Sequence, residues 1–550
     1  MPTITISKKA LENLAGKKLP LEKLKERISY LGTDLEGISE KEITAEIFPN
    51  RPDMLSAPGF ARAFSSFIGV KTGLRKYSIK PSGHQVIIDS SVKNVRPYTA
   101  CAIVKGLKFD DEKIREVIDI QEKLHVTYGR NRKKAAIGIY PFEKIRPPIR
   151  FTAKNPAEIM FKPLDSQREM TGQQILTQHP TGREYAHLLE GQSLFPVFID
   201  SNDKILSMPP IINSEETGKI TQKTSDVFIE CSGFDFEVLH KCINMIAAAL
   251  ADMGGQICSM KLKYEDKTRV TPDLEPEKMR LDLEYVNKKL GLELKEADAK
   301  KLLEKMGYGH EKNNVLIPAY RVDVLHQSDL AEDIAIAYGF ENFEAVNPHI
   351  STTAEEDKLE VLKRKICELM TGQGFLEVNT FNVTNKKMQT EKMNADKSVV
   401  ELLNSVSKEH DALRAWMLPS IMEVLAANKH RAYPQKIFGT GNIFEKNPEK
   451  ETNIEEREHL SAAISNETAD YTEIKQLADY VMKALGIEAK TEEAENKTFI
   501  QGRAAKITTK NREIAVLGEI SPEVLFNWGL AMPTTAIEIN LNELFEAVNE

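Results

Sequence analysis

The chain has 550 residues, more than one hydrophobic core usually organises, so several domains are expected. With 41% hydrophobic and 28% charged residues it has the composition of a folded soluble protein, and a net charge of -8 excludes a uniformly basic nucleic-acid binder while leaving room for a basic face. Five cysteines without a CxxC pair exclude a dense disulfide framework and a structural zinc site, and the most apolar stretch, MIAAALADMGG, is too short to span a bilayer.

The opening MPTITISKKALENLAG has no cationic segment leading into an apolar run, and a cytoplasmic, reducing location is expected. TITIS alternates as a short strand. LPLEKLKERISYLG sets Leu21, Leu24 and Ile28 on one helical face, with Gly32 as its stop. EITAEIFPNRPDMLSAPGFARAFSSFIG reads as strand, turn and helix, the turn marked by Pro49, Asn50, Pro52 and Asp53 and the helix faced by Phe60, Phe64, Phe67 and Ile68. With the strand in PSGHQVIIDSSV these form an N-terminal α/β domain over residues 1–88.

Residues 89–268 mix strands and helices as an α+β domain. YTACAIVKGLKF is a strand. EKIREVIDIQEKLHVTYGRNRKKAAIGIY is a long amphipathic helix, a basic turn and a strand. FPVFIDSNDKILSMPPIINS is hairpin-like, with an Asn-Asp turn at 202–203. DVFIECSG is a strand and DFEVLHKCINMIAAALADMG a helix. Residues 269–347 form a helical module with a β-wing: EYVNKKLG ends at Gly291, KEADAKKLLEKMGY presents Ala299, Leu302, Leu303 and Met306, and NNVLIPAYR is a strand. Residues 348–550 form a last, large domain. It opens with the helix EEDKLEVLKRKICELMTGQG and the strand FLEVNTFNV. DALRAWMLPSIMEVLAANKHR is a turn and helix, YPQKIFGTGNIFEKNP a strand pair, KTEEAENK a surface loop. Strands at 503–509 and 513–518, a short helix and a final strand complete an antiparallel sheet with helices on one side. The fold class is α+β and multidomain.

DVLHQSDLAEDIAIAYGF carries four carboxylates. Asp329, Glu332 and Asp333 at i, i+3 and i+4 share one helix face, and Asp323 closes the preceding strand. Two readings stand. Asp329 caps the helix and Glu332 completes a capping box, with about 0.3–1 kcal/mol from the helix dipole. Alternatively the four hold a hard cation such as magnesium. The basic clusters GRNRKKAA, NKKMQTEK and NKHRAYPQK are either solvated faces or phosphate contacts, with Arg130, Arg132, Lys133, Lys134, Lys429 and Arg431 as nucleic-acid-contact candidates and Tyr433 as a stacking ring.

Four blocks carry a resemblance over almost the whole length: NRPDMLSAPGFARAFSSFIG, IPAYRVDVLHQSDLAEDIAIAYGFENF, DALRAWMLPSIMEVLAANKH and AVLGEISPEVLFNWGLAMPTTAIEINL. In this order they resemble the β-subunit family of phenylalanine–tRNA ligases in its shorter archaeal and eukaryotic form. The resemblance implies an aminoacyl-tRNA synthetase subunit working in an α2β2 heterotetramer. The α subunit would activate phenylalanine with ATP through phenylalanyl-adenylate, and tRNA(Phe) would be the second partner, with no membrane. It implies a B3/B4-type editing domain, a B5-type helical module and a C-terminal class II synthetase-like domain that is inactive. Residues 515–541 contain no arginine, where the late ATP-binding signature of a class II core ends in one, and neither Arg414 nor Arg431 is given that role.

The resemblance also implies a magnesium site over Asp323, Asp329, Glu332 and Asp333 shared with the α subunit. Asp333 stands where the family usually has Glu, which shortens its reach by one methylene. Editing answers a physical problem: tyrosine is phenylalanine plus a hydroxyl, and an apolar pocket rejects an added hydroxyl weakly. Here Glu230 would accept a hydrogen bond from that hydroxyl, Ser232 and Ser207 would donate or position water, and Asn213 and Ser214 would orient the ester. Their structural alternative is a packed turn in PPIINS and a strand-edge charge at Glu230. Tyr140-Pro141 stand where many relatives carry His-Asp, which weakens a role for those positions. A scaffold or RNA-binding subunit with decayed editing is the alternative function.

Overall fold

The computed structural model describes residues 2–39, 41–347, 352–510 and 512–549. The chain divides into two compact units, Met1–Asn347 and Pro348–Glu550. Residue 348, the expected start of the last domain, lies outside the described residues. None of the described helices is long and apolar enough to cross a membrane.

Among its described residues the first unit holds three larger sheets and a two-stranded one, Met160–Phe161 with Met170–Thr171. A small antiparallel sheet orders Thr3–Ser7, Glu42–Glu46 and Asp34–Ile38. The helix Ala57–Phe67 follows, with Ser56 Oγ accepting from Gly59 N–H at its start and Phe60, Phe64 and Phe67 buried, as the spacing predicts. A ten-stranded sheet makes the middle of the unit. It runs Ile212–Asn213, Ile205–Met208, Phe195–Ile199, Ile149–Lys154, Ile79–Ile88, Gln256–Lys263, Tyr98–Lys105, Val227–Gly233 and Ala135–Pro141, with Thr268–Thr271 beside Gln256–Lys263. The strand Ile79–Ile88, read from sequence as the end of the N-terminal domain, pairs inside this sheet, parallel to both its neighbours. The helices Asp111–Val126 and Phe236–Asp252 cover one face, where Ala100, Ala102, Ile137, Ile229 and Cys231 are buried. The third sheet, Glu277–Arg280, Asn314–Ile317 and Gly309–Glu311, packs with the helices Leu283–Leu290, Glu296–Lys305 and Gln327–Tyr338. One hydrophobic core runs from Ile4 to Ala337, and buried polar ties reinforce it: Arg62 Nη1 lies 2.6 Å from Asp252, and Asn244 Nδ2 donates to Asp273 O at 2.7 Å.

Two details of the acidic segment differ from the sequence reading. The helix begins at Gln327 with His326 as its N-cap, so Asp329 is the third helical residue and Glu332 takes no part in the capping box. The preceding strand ends at Ile317, which leaves Asp323 in a loop.

The second unit holds a seven-stranded sheet ordered Leu376–Glu377, Gln435–Lys446, Ile454–Ser465, Thr534–Asn540, Arg512–Ile520, Phe499–Thr509 and Lys490–Glu493, and a small one ordered Val383–Thr384, Ala412–Leu413 and Val400–Glu401. All its pairs are antiparallel except the first. The expectation of helices on one side is corrected. Lys358–Gly372, Tyr471–Ala484 and Leu541–Asn549 pack in one core, and Leu418–Ala427 with Pro522–Trp528 belongs to a second. Tyr471–Ala484 and Leu541–Asn549 had no counterpart in the sequence reading. YPQKIFGTGNIFEKNP is one twelve-residue strand instead of a pair, and Lys490–Glu493, read as loop, is an edge strand.

Candidate functional site

In the ten-stranded sheet the two outermost strands approach each other. The Tyr140 hydroxyl, on Ala135–Pro141, lies 3.2 Å from Asn213 Oδ1, on Ile212–Asn213. Beside this seam lies a cavity of about 440 Å³. Its apolar wall includes Ile118, Ile137, Leu164 and Ile211, and its polar wall includes His125, Arg132, His179, Asn213 and Glu230.

Glu230 sits mid-strand in the completely buried run Val227–Gly233, opposite Gly138 on one neighbour and Cys101 on the other. Its Oε1 accepts from the Tyr140 hydroxyl at 3.0 Å, and its Oε2 is buried without a partner. Burial pushes its carboxyl up to about 8, against the Tyr140 hydrogen bond and the charge of Arg96. Arg96 is buried too. Its Nε donates to Ser232 Oγ at 3.1 Å and its Nη2 to Ser232 O at 2.6 Å, and burial lowers its guanidinium to about 10.

The opposite wall comes from the turn after the helix Asp111–Val126. Arg130, Asn131 and Arg132 all have positive φ, which folds the chain tightly enough to turn one cation inward. Arg132 Nη1 donates to Ile211 O at 2.8 Å, its Nη2 lies 3.3 Å from Glu122, and its guanidinium stacks 4.1 Å over the Tyr185 ring. His125 Nε2 accepts from Ile137 N–H at 2.8 Å, which leaves Nδ1 as the donor towards Glu122 at 3.2 Å. Burial lowers the His125 pKa, so the ring stays neutral. His179 faces Leu164 O through Nε2 at 3.2 Å, and its Nδ1 is buried without a partner.

The structure sorts the sequence candidates. Glu230 and Asn213 meet at the cavity. Ser207 is Asn213's partner across the strand pair, with a buried, unpartnered Oγ. Ser232 is occupied by Arg96, and Ser214 caps the short helix Glu215–Gly218 by accepting from Glu216 N–H at 3.3 Å. Arg130, Lys133 and Lys134 are exposed, whereas Arg132 is committed to the cavity wall. Lys429 and Arg431 are exposed in the second unit, and Lys429 Nζ donates to Gly529 O at 3.3 Å. Sequence reasoning missed Arg96, His125 and His179 and set Tyr140 aside. Tyr140 could have been found as the aromatic residue two positions beyond Gly138 on the same strand; the other three carry no local signal.

The four carboxylates are spread over different tasks. Asp323 and Asp333 both pair with buried Arg321, and the Tyr308 hydroxyl also donates to Asp333. Asp329 accepts from Leu325 N–H and His326 N–H, each at 2.7 Å. Glu332 is exposed; desolvation, then the charges of Asp333, Asp329 and Asp323, raise its pKa. No group of three or more His, Cys, Asp or Glu among the described residues can hold a metal ion. The structure does not gather the four into one cluster of three or more such residues.

Residues 92–246 match the B3/4 domain model, 279–340 the tRNA synthetase B5 domain model, and 344–541 the model of the phenylalanyl tRNA synthetase beta chain CLM domain. The chain is 39% identical over 558 residues to the phenylalanine–tRNA ligase beta subunit of Pyrococcus abyssi, covering 99% of this chain and 100% of that one. It is 38% identical over 554 residues to the beta subunit of Archaeoglobus fulgidus, covering 99% of each. Among solved structures, an N-terminal fragment of the phenylalanyl-tRNA synthetase beta subunit from Pyrococcus horikoshii matches with a TM-score of 0.59 and 40% identity, over 61% of this chain and 99% of that fragment.

Proposed function

Because the chain belongs to the phenylalanine–tRNA ligase β-subunit family, we propose that it is the β half of a cytoplasmic α2β2 ligase in which it holds tRNA(Phe) and proofreads the product. Phenylalanine, ATP and magnesium react at the α partner, and the C-terminal unit of this chain is an inactive class II synthetase-like scaffold. A magnesium ion held between the subunits would draw on Glu332, whose carboxylate has no hydrogen-bond partner among the described residues.

Proofreading is hydrolysis of the ester between a wrong amino acid and the tRNA. Water adds to the ester carbonyl, the bond to the ribose oxygen breaks, the amino acid leaves as its carboxylate, and of the water's two protons one goes to the ribose oxygen and the other to solvent. The observation that carries this reading is Glu230: a buried carboxyl at a cavity wall with one oxygen unpartnered. A tyrosyl hydroxyl satisfies that oxygen, while a phenylalanyl ring leaves it unsatisfied, and such a site separates the two far better than an apolar pocket does. Exposed Arg130, Lys133 and Lys134, in the turn that sends Arg132 into the cavity wall, support phosphate contacts near its mouth.

The test is deacylation of tyrosyl-tRNA(Phe) by the chain co-expressed with its α partner, wild type beside Glu230→Ala. Fast hydrolysis lost in the variant supports the reading. Equal rates in both move the recognition away from Glu230. A wild-type complex that charges phenylalanine normally and hydrolyses no faster than background is a scaffold with decayed editing.

A further inference from the structure

Tyr140 is completely buried and stacks on Phe228 with ring centroids 5.8 Å apart. Its hydroxyl touches Glu230 Oε1 and Asn213 Oδ1, two groups that line the cavity, although Tyr140 itself does not line it. With its single proton the phenol donates to Glu230 Oε1, the shorter contact at 3.0 Å, and Asn213 Oδ1 lies 3.2 Å from the phenol oxygen. The phenol reaches them only because residue 138 is glycine: a Cβ there would lie 2.1 Å from the Tyr140 hydroxyl.

A carboxyl has two oxygens and turns freely unless one is held. With Oε1 engaged by Tyr140, the plane of the Glu230 carboxyl is set, and Oε2 is the oxygen left without a partner. A buried polar atom in that condition favours whatever ligand group satisfies it. A phenol donates to that oxygen most strongly when Glu230 is ionised and accepts from it more weakly when Glu230 is protonated, so recognition follows the titration of Glu230. We propose that Tyr140 is a positioning residue for specificity: by holding Glu230 Oε1 it commits Oε2 to reading one aromatic hydroxyl on the amino acid of a misacylated tRNA. This rests on the cavity being the hydrolytic pocket. Tyr140 therefore takes part in recognition without lining the cavity itself.

The test uses the assembled complex with its α partner and the variant Tyr140→Phe, which keeps the ring and its stacking on Phe228. Deacylation is measured for tyrosyl- and phenylalanyl-tRNA(Phe), with phenylalanine charging as the folding control. The expected result is a fall of about ten-fold or more in the tyrosyl-to-phenylalanyl ratio of kcat/KM, with charging unchanged. The pH midpoint of tyrosyl deacylation should also move upward, because the lost hydrogen bond favoured the ionised carboxylate of Glu230. A purely structural role would not move that midpoint. An unchanged ratio and midpoint overturn the proposal and leave Tyr140 as packing. A higher ratio overturns it too, since Tyr140 would then compete with the substrate phenol. If the wild type itself hydrolyses neither ester above background while charging normally, the hydrolytic reading falls and takes this one with it; that case is recognised by the silent wild type.

Discussion

Gly138 stands directly opposite Glu230 on the neighbouring strand, and the space left by its missing side chain holds the Tyr140 hydroxyl. A methyl group there would lie 2.1 Å from that hydroxyl and 2.6 Å from Glu230 Oε1, so both side chains must move. Gly138→Ala is expected to destabilise the middle of the first unit by about 1–3 kcal/mol, the usual range for overpacking a core. It should also slow tyrosyl-tRNA(Phe) deacylation while phenylalanine charging by the complex is kept. Thermal unfolding and the two activity assays check this together; full deacylation in the alanine variant would contradict the close packing.

The raised pKa of Glu230 makes a prediction about stability and pH. Its ordinary value is 4.5, and burial moves it to about 8 in the folded chain. Between those values the folded chain keeps a proton that the unfolded chain has released. Stability contributed by the neutral group is therefore full below the lower value and is lost as pH rises through the window. Glu230→Gln removes the titration and keeps an acceptor for Tyr140. The variant should gain on the wild type as pH rises from about 5 to 8, by an amount on the order of a few kcal/mol at the upper end. Hydrogen exchange in Val227–Gly233, corrected for intrinsic rates, measures it. A pH-independent difference would place the Glu230 titration elsewhere.

The sequence discloses local structure and hides what depends on register. Val227–Gly233 and Phe236–Asp252 are legible because their apolar patterns fit one period each. YPQKIFGTGNIFEKNP misleads because its glycines look like turn residues. In the structure a Cβ on Gly439 would lie 2.6 Å from Val378 O, and one on Gly441 would lie 2.1 Å from Arg414 Nη2. Both glycines serve close approach along an unbroken strand. At the site, Glu230 and Asn213 are reached through the family resemblance, as polar residues of FIECSG and PPIINS. That Tyr140 joins them depends on the two outer strands of one sheet meeting, and no local pattern encodes that meeting.

Asp329 and Glu332 are four carboxylates' two extremes, and substitution separates them. Asp329 satisfies two backbone N–H groups at the start of Gln327–Tyr338, so Asp329→Ala should cost about 0.5–2 kcal/mol, the worth of a helix cap. Glu332 is held up by desolvation and by its acidic neighbours, so Glu332→Gln should leave the chain at least as stable. Magnesium added to this chain without its partner should change neither result, since no metal-holding group exists among the described residues. Thermal unfolding with and without magnesium checks all three. Stabilisation of the lone chain by magnesium, lost in Glu332→Gln, would show instead that the acidic residues converge on an ion.

Arg321 decides how Asp323 and Asp333 can be buried at all. Its Nε and Nη2 grip Asp323 at 2.7 and 2.8 Å, and the same Nη2 lies 2.8 Å from Asp333. Burial works against the guanidinium's charge, yet Asp333, Tyr308 and Asp323 raise its pKa well above the ordinary value. Arg321→Leu leaves buried Asp333 and partly buried Asp323 without their cation and should cost about 3–5 kcal/mol. Arg321→Lys keeps the charge but not the planar fork, so it should recover only part of the loss. Hydrogen exchange in Gln327–Tyr338 reads the effect where it originates. A small effect of Arg321→Leu would mean that another cation compensates the two aspartates, and magnesium-dependence of that variant alone would identify it.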